Sequence, residues 1–374
     1  MQHLSKVLII GGGFAGMSAA IELRKHGIAV DLIEIDAGWR SYGAGLTLGG
    51  AALRALGTVG VLTAVLKQGR GADGADLFTA SGHHIASLPT PRIAGPDVPG
   101  GGAIMRPVLA AILADATRAA GVNVRLGTWA TAMTQDDHGV NVTLSDAQSY
   151  RYDLVIGADG LYSKTRAFVA PDAPAPRFTG QGVWRAVLPR GDVERAAMFM
   201  GQTIKAGVNP VSDDNLYLFV TEQRASNTHL SDEQLLPLLV NMLKEFSAPV
   251  ITRVREQLSE ESSIVYRPLE AILLQKPWSR GRVVLVGDAV HATTPHLAAG
   301  AGMGIEDAVA LVQELTRAPS ISAGLVAYQD RRFERCRMVV ENSLRLGEIE
   351  ITGGSKEEHA MLMRDSMTAL AQPF

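Results

Sequence analysis

The chain has 374 residues, more than one ordinary hydrophobic core accommodates, so we expect two packed modules. Hydrophobic residues make up 47% and charged residues 20%, which is typical of a globular protein and rules against extended disorder. The formal net charge of -3 shows no basic surplus, so a nucleic-acid partner is not expected.

The first predicted elements form a strand–helix–strand unit. The run Val7–Ile10 is short, apolar and followed by glycines, which is typical of a buried parallel strand. Apolar residues recur with helical spacing from Phe14 to His26, and Gly27 ends the predicted helix. Ala29–Ile35 is again apolar and β-branched and predicts the second strand.

The next elements alternate between loops, strands and helices. Residues 37–60 are predicted as loop with short helical pieces, 73–88 as a β-hairpin, and the proline-rich segment 89–102 as loop. Helices are predicted at Arg106–Ala120, at roughly 231–246, and beyond Gly302 with breaks near Pro319 and Gly353. The further predicted strands are Val122–Leu126, Ala130–Gln135, Val140–Leu144, Tyr152–Ile156, Val183–Leu188, Ala197–Met200, Leu216–Val220 and Arg282–Val286.

A glycine-rich motif joins the first strand to the first helix. Gly11 permits a tight turn, Gly13 lets the backbone reach a pyrophosphate, and Gly16 lets helix and strand pack closely. The helix N-terminus then offers free N–H groups to phosphates. Glu34 ends the second strand, where an acid can bind a ribose hydroxyl. The motif predicts dinucleotide binding but does not distinguish FAD from NAD.

Two later stretches resemble motifs of the flavoprotein aromatic hydroxylases. Residues 153–160, followed by Ser163 and Arg166, resemble the Asp-Gly motif of that family, and residues 287–308 resemble its Gly-Asp motif. The three motifs occur in the family's order, and the spelling of residues 292–302 is most similar to the salicylate-hydroxylase-like branch. One departure is that Leu297-Ala298-Ala299 precede Gly300, where many members have Gly-Gln-Gly or Gly-Ala-Gly.

The resemblance implies an α/β fold like that of p-hydroxybenzoate hydroxylase. An FAD-binding, Rossmann-like parallel-sheet domain would comprise residues 1–72, 103–172 and 267–374 and carry the C-terminal helices. An inserted β-rich substrate domain would comprise residues 73–102 and 173–266. It also implies a single-component, NAD(P)H-consuming monooxygenase. In such an enzyme, oxygen adds to reduced flavin at C4a, and the hydroperoxide hydroxylates a small aromatic or heteroaromatic substrate.

The family motifs extend the predicted FAD site beyond the glycine turn. Asp288 would bind a ribityl hydroxyl, and the helix after Gly300 would stabilise negative charge on reduced flavin. Asp159 could instead be a solvated loop acid, and Arg106 an ordinary exposed arginine. The predicted cofactor-binding residues are Gly11, Gly13, Phe14, Ala15, Gly16, Glu34, Arg106, Asp159, Asp288, Pro295, Gly300, Ala301 and Gly302.

The substrate is expected between the flavin and a sheet built from about residues 178–220. His296 is the preferred polar contact because an imidazole there could hold or deprotonate a phenolic oxygen, although a backbone-bonded loop histidine fits equally well. Arg185 could pair with a substrate carboxylate or make a surface ion pair. Tyr217 is the third predicted catalytic residue. Trp184 and Phe219 are further candidates that more often belong to a core.

The sequence is also consistent with other functions. The same fold supports an FAD-dependent dehydrogenase or reductase, or a catalytically silent binding protein, and the residues do not separate NADH from NADPH. No metal site is expected, and the single cysteine, Cys336, is predicted to be an unreactive thiol. The absence of a signal peptide and of a long apolar stretch predicts a cytoplasmic protein without membrane attachment. A monomer or homodimer is expected.

Overall fold

The computed structural model describes residues 4–41 and 43–374. Its strands are β1 Lys6–Ile10, β2 Ala29–Glu34, β3 Gly45–Gly49, β4 Arg70–Ala72, β5 Gly74–Thr79, β6 His84–Pro89, β7 Gly101–Met105, β8 Asn123–Leu126, β9 Ala130–Asp136, β10 Gly139–Leu144, β11 Ser149–Tyr152, β12 Leu154–Gly157, β13 Arg177–Pro189, β14 Ala196–Met200, β15 Lys205–Pro210, β16 Asn215–Gln223, β17 Ile264–Ala271, β18 Ser279–Arg280 and β19 Val283–Leu285. Its helices are α1 Phe14–Lys25, α2 Gly50–Val59, α3 Leu62–Gln68, α4 Arg106–Ala119, α5 Lys164–Val169, α6 Asp232–Leu243, α7 Pro249–Gln257, α8 Asp288–His291, α9 Gly300–Arg317, α10 Ile321–Thr352 and α11 Lys356–Ala371, with a 3₁₀ turn at Pro295–Leu297.

A six-stranded sheet of order β18-β19-β12-β1-β2-β8 forms the first layer. Every pairing in it is parallel except that of β18 with β19. Strands β12 and β19 are wholly buried, and β1 is nearly so, which explains their uninterrupted apolar sequences. Helices α1 and α9 pack against each other beside this sheet, and α10 packs on α9.

A seven-stranded sheet of order β17-β13-β16-β15-β14-β5-β6 forms the second large unit. It is antiparallel except where β14 pairs with β5. One face is covered by α6 and α7 through residues such as Leu239, Leu243 and Ile251. The remaining strands form two smaller three-stranded sheets, β3-β7-β4 and β11-β10-β9. The other face of the large sheet, around Tyr217, packs against β3 and β7.

The predicted α/β fold is confirmed, including the hairpin β5–β6 and the three long C-terminal helices. The predicted domain limits stay a prediction, and β17 crosses the limit placed between residues 266 and 267. Residues 37–60 are predicted as loop with short helical pieces; α2 is such a helix, whereas β3 was not predicted. Among the helices of residues 4–41 and 43–374, none combines the length and apolarity that crossing a bilayer requires.

One predicted strand, Tyr152–Ile156, is wrong as a single element. The chain turns at Asp153, whose Oδ2 accepts hydrogen bonds from the N–H groups of Ser5 and Lys6. Tyr152 therefore ends β11 in a three-stranded antiparallel sheet, whereas Leu154 begins β12 in the parallel sheet. This turn transfers the chain from one sheet to the other.

Candidate functional site

The glycine turn between β1 and α1 is compact on one side and open on the other. Gly11 has φ 108°, and a Cβ there would lie 2.3 Å from the carbonyl oxygen of Ala158. A Cβ on Gly16 would lie 2.0 Å from the oxygen of Gly11. A Cβ on Gly13 would meet nothing within 4 Å, and no side chain caps α1. The open space therefore faces unsatisfied N–H groups, as a phosphate requires.

Glu34 lies at the carboxyl end of β2, beside this turn. Its Oε2 accepts a hydrogen bond from Gly12 N at 2.7 Å, and its Oε1 accepts one from Asp36 N at 2.9 Å. Trp39, which the sequence did not single out, donates from Nε1 to Gly12 O at 2.8 Å. An aromatic residue five positions after the motif acid was the only local signal for it. These bonds hold the turn and the acid in one arrangement.

The Asp-Gly loop carries its own internal bonds. Asp159 accepts hydrogen bonds from Ser163 Oγ at 2.5 Å and from the backbone N–H groups of Lys164 and Thr165 at 2.9 and 3.0 Å. It therefore stabilises the start of α5, a role that neither the cofactor prediction nor the solvated-acid alternative included. Arg166 donates to Ala289 O at 3.0 Å and so ties this loop to the Gly-Asp segment.

Asp288 of the Gly-Asp segment and Arg106 at the start of α4 lie close enough for their charges to interact. The Asp288 carboxylate is exposed and accepts no hydrogen bond from residues 4–41 or 43–374. The protein crowded around it raises its pKa, while His291 and Arg106 oppose that rise. Arg106 donates to Ser41 Oγ at 3.2 Å, and its guanidinium lies 4.9 Å from the ring centre of Phe14. Two opposite charges thus lie near each other without forming an ion pair.

A buried ionic cluster supports the Gly-Asp segment from below. Asp307 accepts hydrogen bonds from Gly287 N at 2.8 Å, His291 Nε2 at 2.6 Å and Arg332 Nε at 2.7 Å. His291 therefore fixes this turn through its bond to Asp307. His291, Asp307 and Cys336 also form a group of potential metal ligands that the sequence did not indicate. Because Arg332 already neutralises the carboxylate, the cluster is explained as an ion pair.

The glycines at the start of α9 serve helix packing. A Cβ on Gly302 would lie 2.8 Å from Ala52 Cβ in α2, and one on Gly304 would lie 3.2 Å from Ala15 Cβ in α1. Pro295 begins the 3₁₀ turn, and Ala298 has a left-handed φ of 49° just before the helix. No side chain caps α9, so the N–H groups at Gly300 and Ala301 lack a side-chain acceptor.

One face of the large sheet lies opposite Asp288 and Arg106, since Arg185 on this face is close enough to Arg106 for their charges to interact. We call the region between them the cleft and this face its wall. Cross-strand pairing aligns Arg185 with Phe219 and Gly207, and in the next row Val187 with Tyr217 and Asn209. Tyr217 is buried, and its hydroxyl lies 2.7 Å from Thr47 Oγ1 on β3. Gly45 leaves room for the Tyr217 ring, because a Cβ there would lie 2.1 Å from it. Thr47 and Asn209 carried no sequence signal.

Arg185 is the cation of this wall. It makes no hydrogen bond or ion pair with any residue in the described ranges, 4–41 and 43–374. Burial lowers its pKa, and neighbouring Arg106 and Arg267 lower it further, whereas Tyr217 raises it. A surface ion pair, the alternative considered for this residue, is therefore not formed. An arginine held near other cations without an anion is suited to bind one.

Trp184 and His296, two other candidates for substrate contact, are directed into the protein interior. Trp184 is 1% exposed and packs on the α6–α7 side of the sheet, so it is a core residue. The imidazole of His296 is 2% exposed and lies between Thr294 Oγ1, 2.8 Å from Nδ1, and Glu350 Oε2, 3.3 Å from Nε2. The histidine that we expected against the substrate is therefore turned into the protein interior.

Comparison with known proteins agrees with this geometry. A family model described as "FAD binding domain" matches residues 5–343. The chain belongs to this FAD-binding family. It is 30% identical to aurachin C monooxygenase/isomerase of Stigmatella aurantiaca over 350 residues, covering 92% of this chain and 89% of the relative. Identity is also 30% to 2-heptyl-3-hydroxy-4(1H)-quinolone synthase of Pseudomonas aeruginosa, with the same coverage.

Solved structures show the same fold. The structure of Klebsiella pneumoniae HpxO complexed with FAD and uric acid superposes with a TM-score of 0.84 at 23% identity, covering 99% of this chain and 93% of HpxO. With its family and relatives, the chain is an FAD-dependent monooxygenase. Its residues fit the cofactor: the open space at Gly13 suits the pyrophosphate, and the unpartnered Asp288 suits a polyol hydroxyl. Bound there, FAD would supply the redox and oxygen chemistry.

Proposed function

We propose that the protein hydroxylates a small aromatic or heteroaromatic molecule that carries a carboxylate or an acidic oxygen. The observation that carries this proposal is the unpaired guanidinium of Arg185, aligned with the ring of Phe219 on the wall opposite Asp288 and Arg106. A flat ring packs favourably on an aromatic face, and an anion pairs with an arginine. The name of the quinolone synthase relative supports a heteroaromatic substrate.

Each wall residue has a distinct part in this proposal. Arg185 would bind the acidic group of the substrate and orient the ring, because a guanidinium fixes both position and angle. Phe219 would contact the ring and exclude water. Tyr217, held by Thr47, would close the far end and offer a hydroxyl to a polar substituent. The predicted FAD residues, from the glycine turn to Pro295 and Gly300–Gly302, would hold the cofactor on the other side.

The remaining components are proposed on the same basis. NADH or NADPH would be the transient reductant and O2 the second substrate, and we propose cytoplasmic action as a monomer or homodimer. The pattern Gly-x-Gly-x-x-Gly recurs at residues 69–74, but there it lies on β4 and the start of β5 instead of joining a strand to a helix. The nicotinamide cofactor would therefore have no dedicated Rossmann unit.

The test combines turnover with a matched pair of arginine variants. Purified, FAD-loaded protein is assayed for oxygen uptake, NAD(P)H oxidation and product with a panel of aromatic acids and phenols. We expect Arg185→Met to weaken substrate binding about 10- to 100-fold, the loss of a charged hydrogen bond, while FAD affinity stays unchanged. Arg195→Met, an exposed arginine paired with Asp76, is the control. NAD(P)H oxidation without oxygen insertion for any compound would indicate a dehydrogenase instead.

A further inference from the structure

A group of polar residues surrounds Glu350 of α10. Its Oε1 is 2.6 Å from Lys205 Nζ and 3.4 Å from His359 Nε2, and its Oε2 is 3.3 Å from His296 Nε2. Gln181 Nε2 also approaches Oε2, at 3.4 Å. We name these five residues the Glu350 cluster. His296 lies within the Gly-Asp motif of residues 287–308, whereas the other four residues lie outside the FAD motifs.

The Glu350 cluster joins three separate parts of the fold. Lys205 begins β15 and Gln181 lies on β13, both on the substrate-facing side of the large sheet. His296 follows Pro295 in the turn before α9, on the flavin side. Gly347 of α10 makes the contact possible, because a Cβ there would lie 2.7 Å from Gln181 Oε1 and 3.1 Å from His296 Cε1. One helix therefore contacts both walls of the cleft.

The cluster is also close to the proposed substrate position. Pairing places Lys205 opposite Thr221, which is two residues along β16 from Phe219. Arg185 and Gln181 are on the same face of β13, four residues apart, because side chains alternate along a strand. Among the rows on this face, Lys205 thus lies in the first row behind the Arg185–Phe219 row, and Gln181 lies in the second.

Burial makes a purely stabilising role for these charges inefficient. The side chains of Lys205 and Glu350 are only 16% and 14% exposed. Desolvation of a buried ion pair offsets much of its attraction, so a gain in stability alone does not account for this pair. His296 Nε2 lies near Glu350 but is out of line for a hydrogen bond. The pair therefore acts on the position and charge of the imidazole.

We propose that Glu350 is a positioning residue for the hydroxylation, which joins Lys205 of the substrate sheet to His296 of the flavin-side turn and thereby sets the width of the cleft. The placement of substrate in that cleft rests on the proposed function. The contact between the walls is a property of the chain itself.

The pKa of His296 can be used to detect its contact with Glu350. Burial lowers this pKa, Lys205 and His359 lower it further, and Glu350 raises it. The imidazole is therefore neutral at neutral pH. Glu350→Gln should lower the His296 pKa, because it removes a carboxylate that raises it. Lys205→Met should raise it, because the carboxylate is then no longer neutralised.

The first experiment measures coupling, the ratio of hydroxylated product to NAD(P)H consumed. Because a displacement of about 1 Å can cost about 100-fold in rate, we expect a fall of about threefold or more in Glu350→Gln. The double variant Lys205→Met/Glu350→Met should melt like wild type yet couple poorly, since it restores packing but not the position of His296. Glu348→Gln, an exposed acid on the same helix, is the control and should couple normally.

Coupling equal to wild type in both Glu350 variants would overturn the proposal. The second experiment follows the His296 imidazole by NMR pH titration in wild type, Glu350→Gln and Lys205→Met, with and without FAD. Shifts of opposite sign are expected, and an unchanged His296 pKa in both variants would also overturn the proposal. This titration needs no substrate. If no compound is hydroxylated, the proposed function fails, but the titration still decides whether Glu350 controls His296.

Discussion

Replacing Gly13 by alanine should separate cofactor binding from folding. Gly13 has φ -78° and ψ -176°, values that an L-residue adopts without strain, and its Cβ would enter open space. Alanine gains about 0.4–1 kcal/mol from reduced freedom of the unfolded chain, but loses a similar amount because it is a poorer N-cap than glycine. The apoprotein should therefore unfold within about 1 kcal/mol of wild type.

FAD binding should respond quite differently. The new methyl group occupies the space through which a pyrophosphate approaches α1, so at least one charge-assisted hydrogen bond is lost. That loss is about 1.5–3 kcal/mol, or about 10- to 150-fold in Kd. Titration of apoprotein with FAD, followed by flavin fluorescence, measures it. The matched variant is Gly16→Ala, whose Cβ would lie 2.0 Å from Gly11 O and which should lose about 1–3 kcal/mol of stability or more.

The comparison has a clear refuting outcome. If Gly13→Ala binds FAD within about threefold of wild type, a span worth well under 1 kcal/mol, the pyrophosphate does not lie against this turn. If its apoprotein instead loses several kcal/mol, the space beside Gly13 is filled by the protein. Either result would contradict the argument from geometry.

Two further predictions concern stability. Ala298→Gly should stabilise the protein by about 1 kcal/mol in denaturant unfolding, because Ala298 holds a left-handed φ of 49° that glycine adopts freely; a destabilised variant would contradict this. Asp307→Asn should cost about 3–5 kcal/mol near neutral pH, since Arg332 and His291 lose a buried partner. Burial alone would raise the pKa of Asp307, but His291 and Arg332 hold it below its ordinary 3.8. Its contribution is therefore full above pH 3.8 and is lost as pH falls through the depressed pKa, so the gap between variant and wild type should narrow in acid. A gap that stays constant into strong acid would exclude this electrostatic origin.

The FAD half of the site was predictable because its signals are local. The turn at Gly11, the packing at Gly16 and the acid at Glu34 all follow from one short segment of chain. The substrate half depends on pairing between distant strands. From the sequence, Arg185 could pair with a substrate carboxylate or make a surface ion pair. The structure decides against the surface ion pair, because it aligns Arg185 with Phe219 and gives it no ionic partner among the described residues.

Other features could not be predicted for definite physical reasons. Strand β17 contains Pro268, which argues against a strand, but it pairs opposite Gly182 where the register of β13 shifts. Strand β15 includes Gly207, which weakens a strand pattern and here accommodates the ring of Phe219. His296 is buried next to Glu350, which lies more than 50 residues later in the chain. No local pattern encodes such a contact.

The interleaved strand order has a consequence for how the chain is made. Strands β1 and β2 leave the ribosome first, but their sheet is completed only by β12 and β19, and β19 ends at Leu285. The hairpin β5–β6 likewise waits for β14, and β13 waits for β17. Both sheets therefore keep unpaired edges through most of translation, and pairing of distant strands is slow. Nascent chains should depend on chaperone protection until the C-terminal helices emerge.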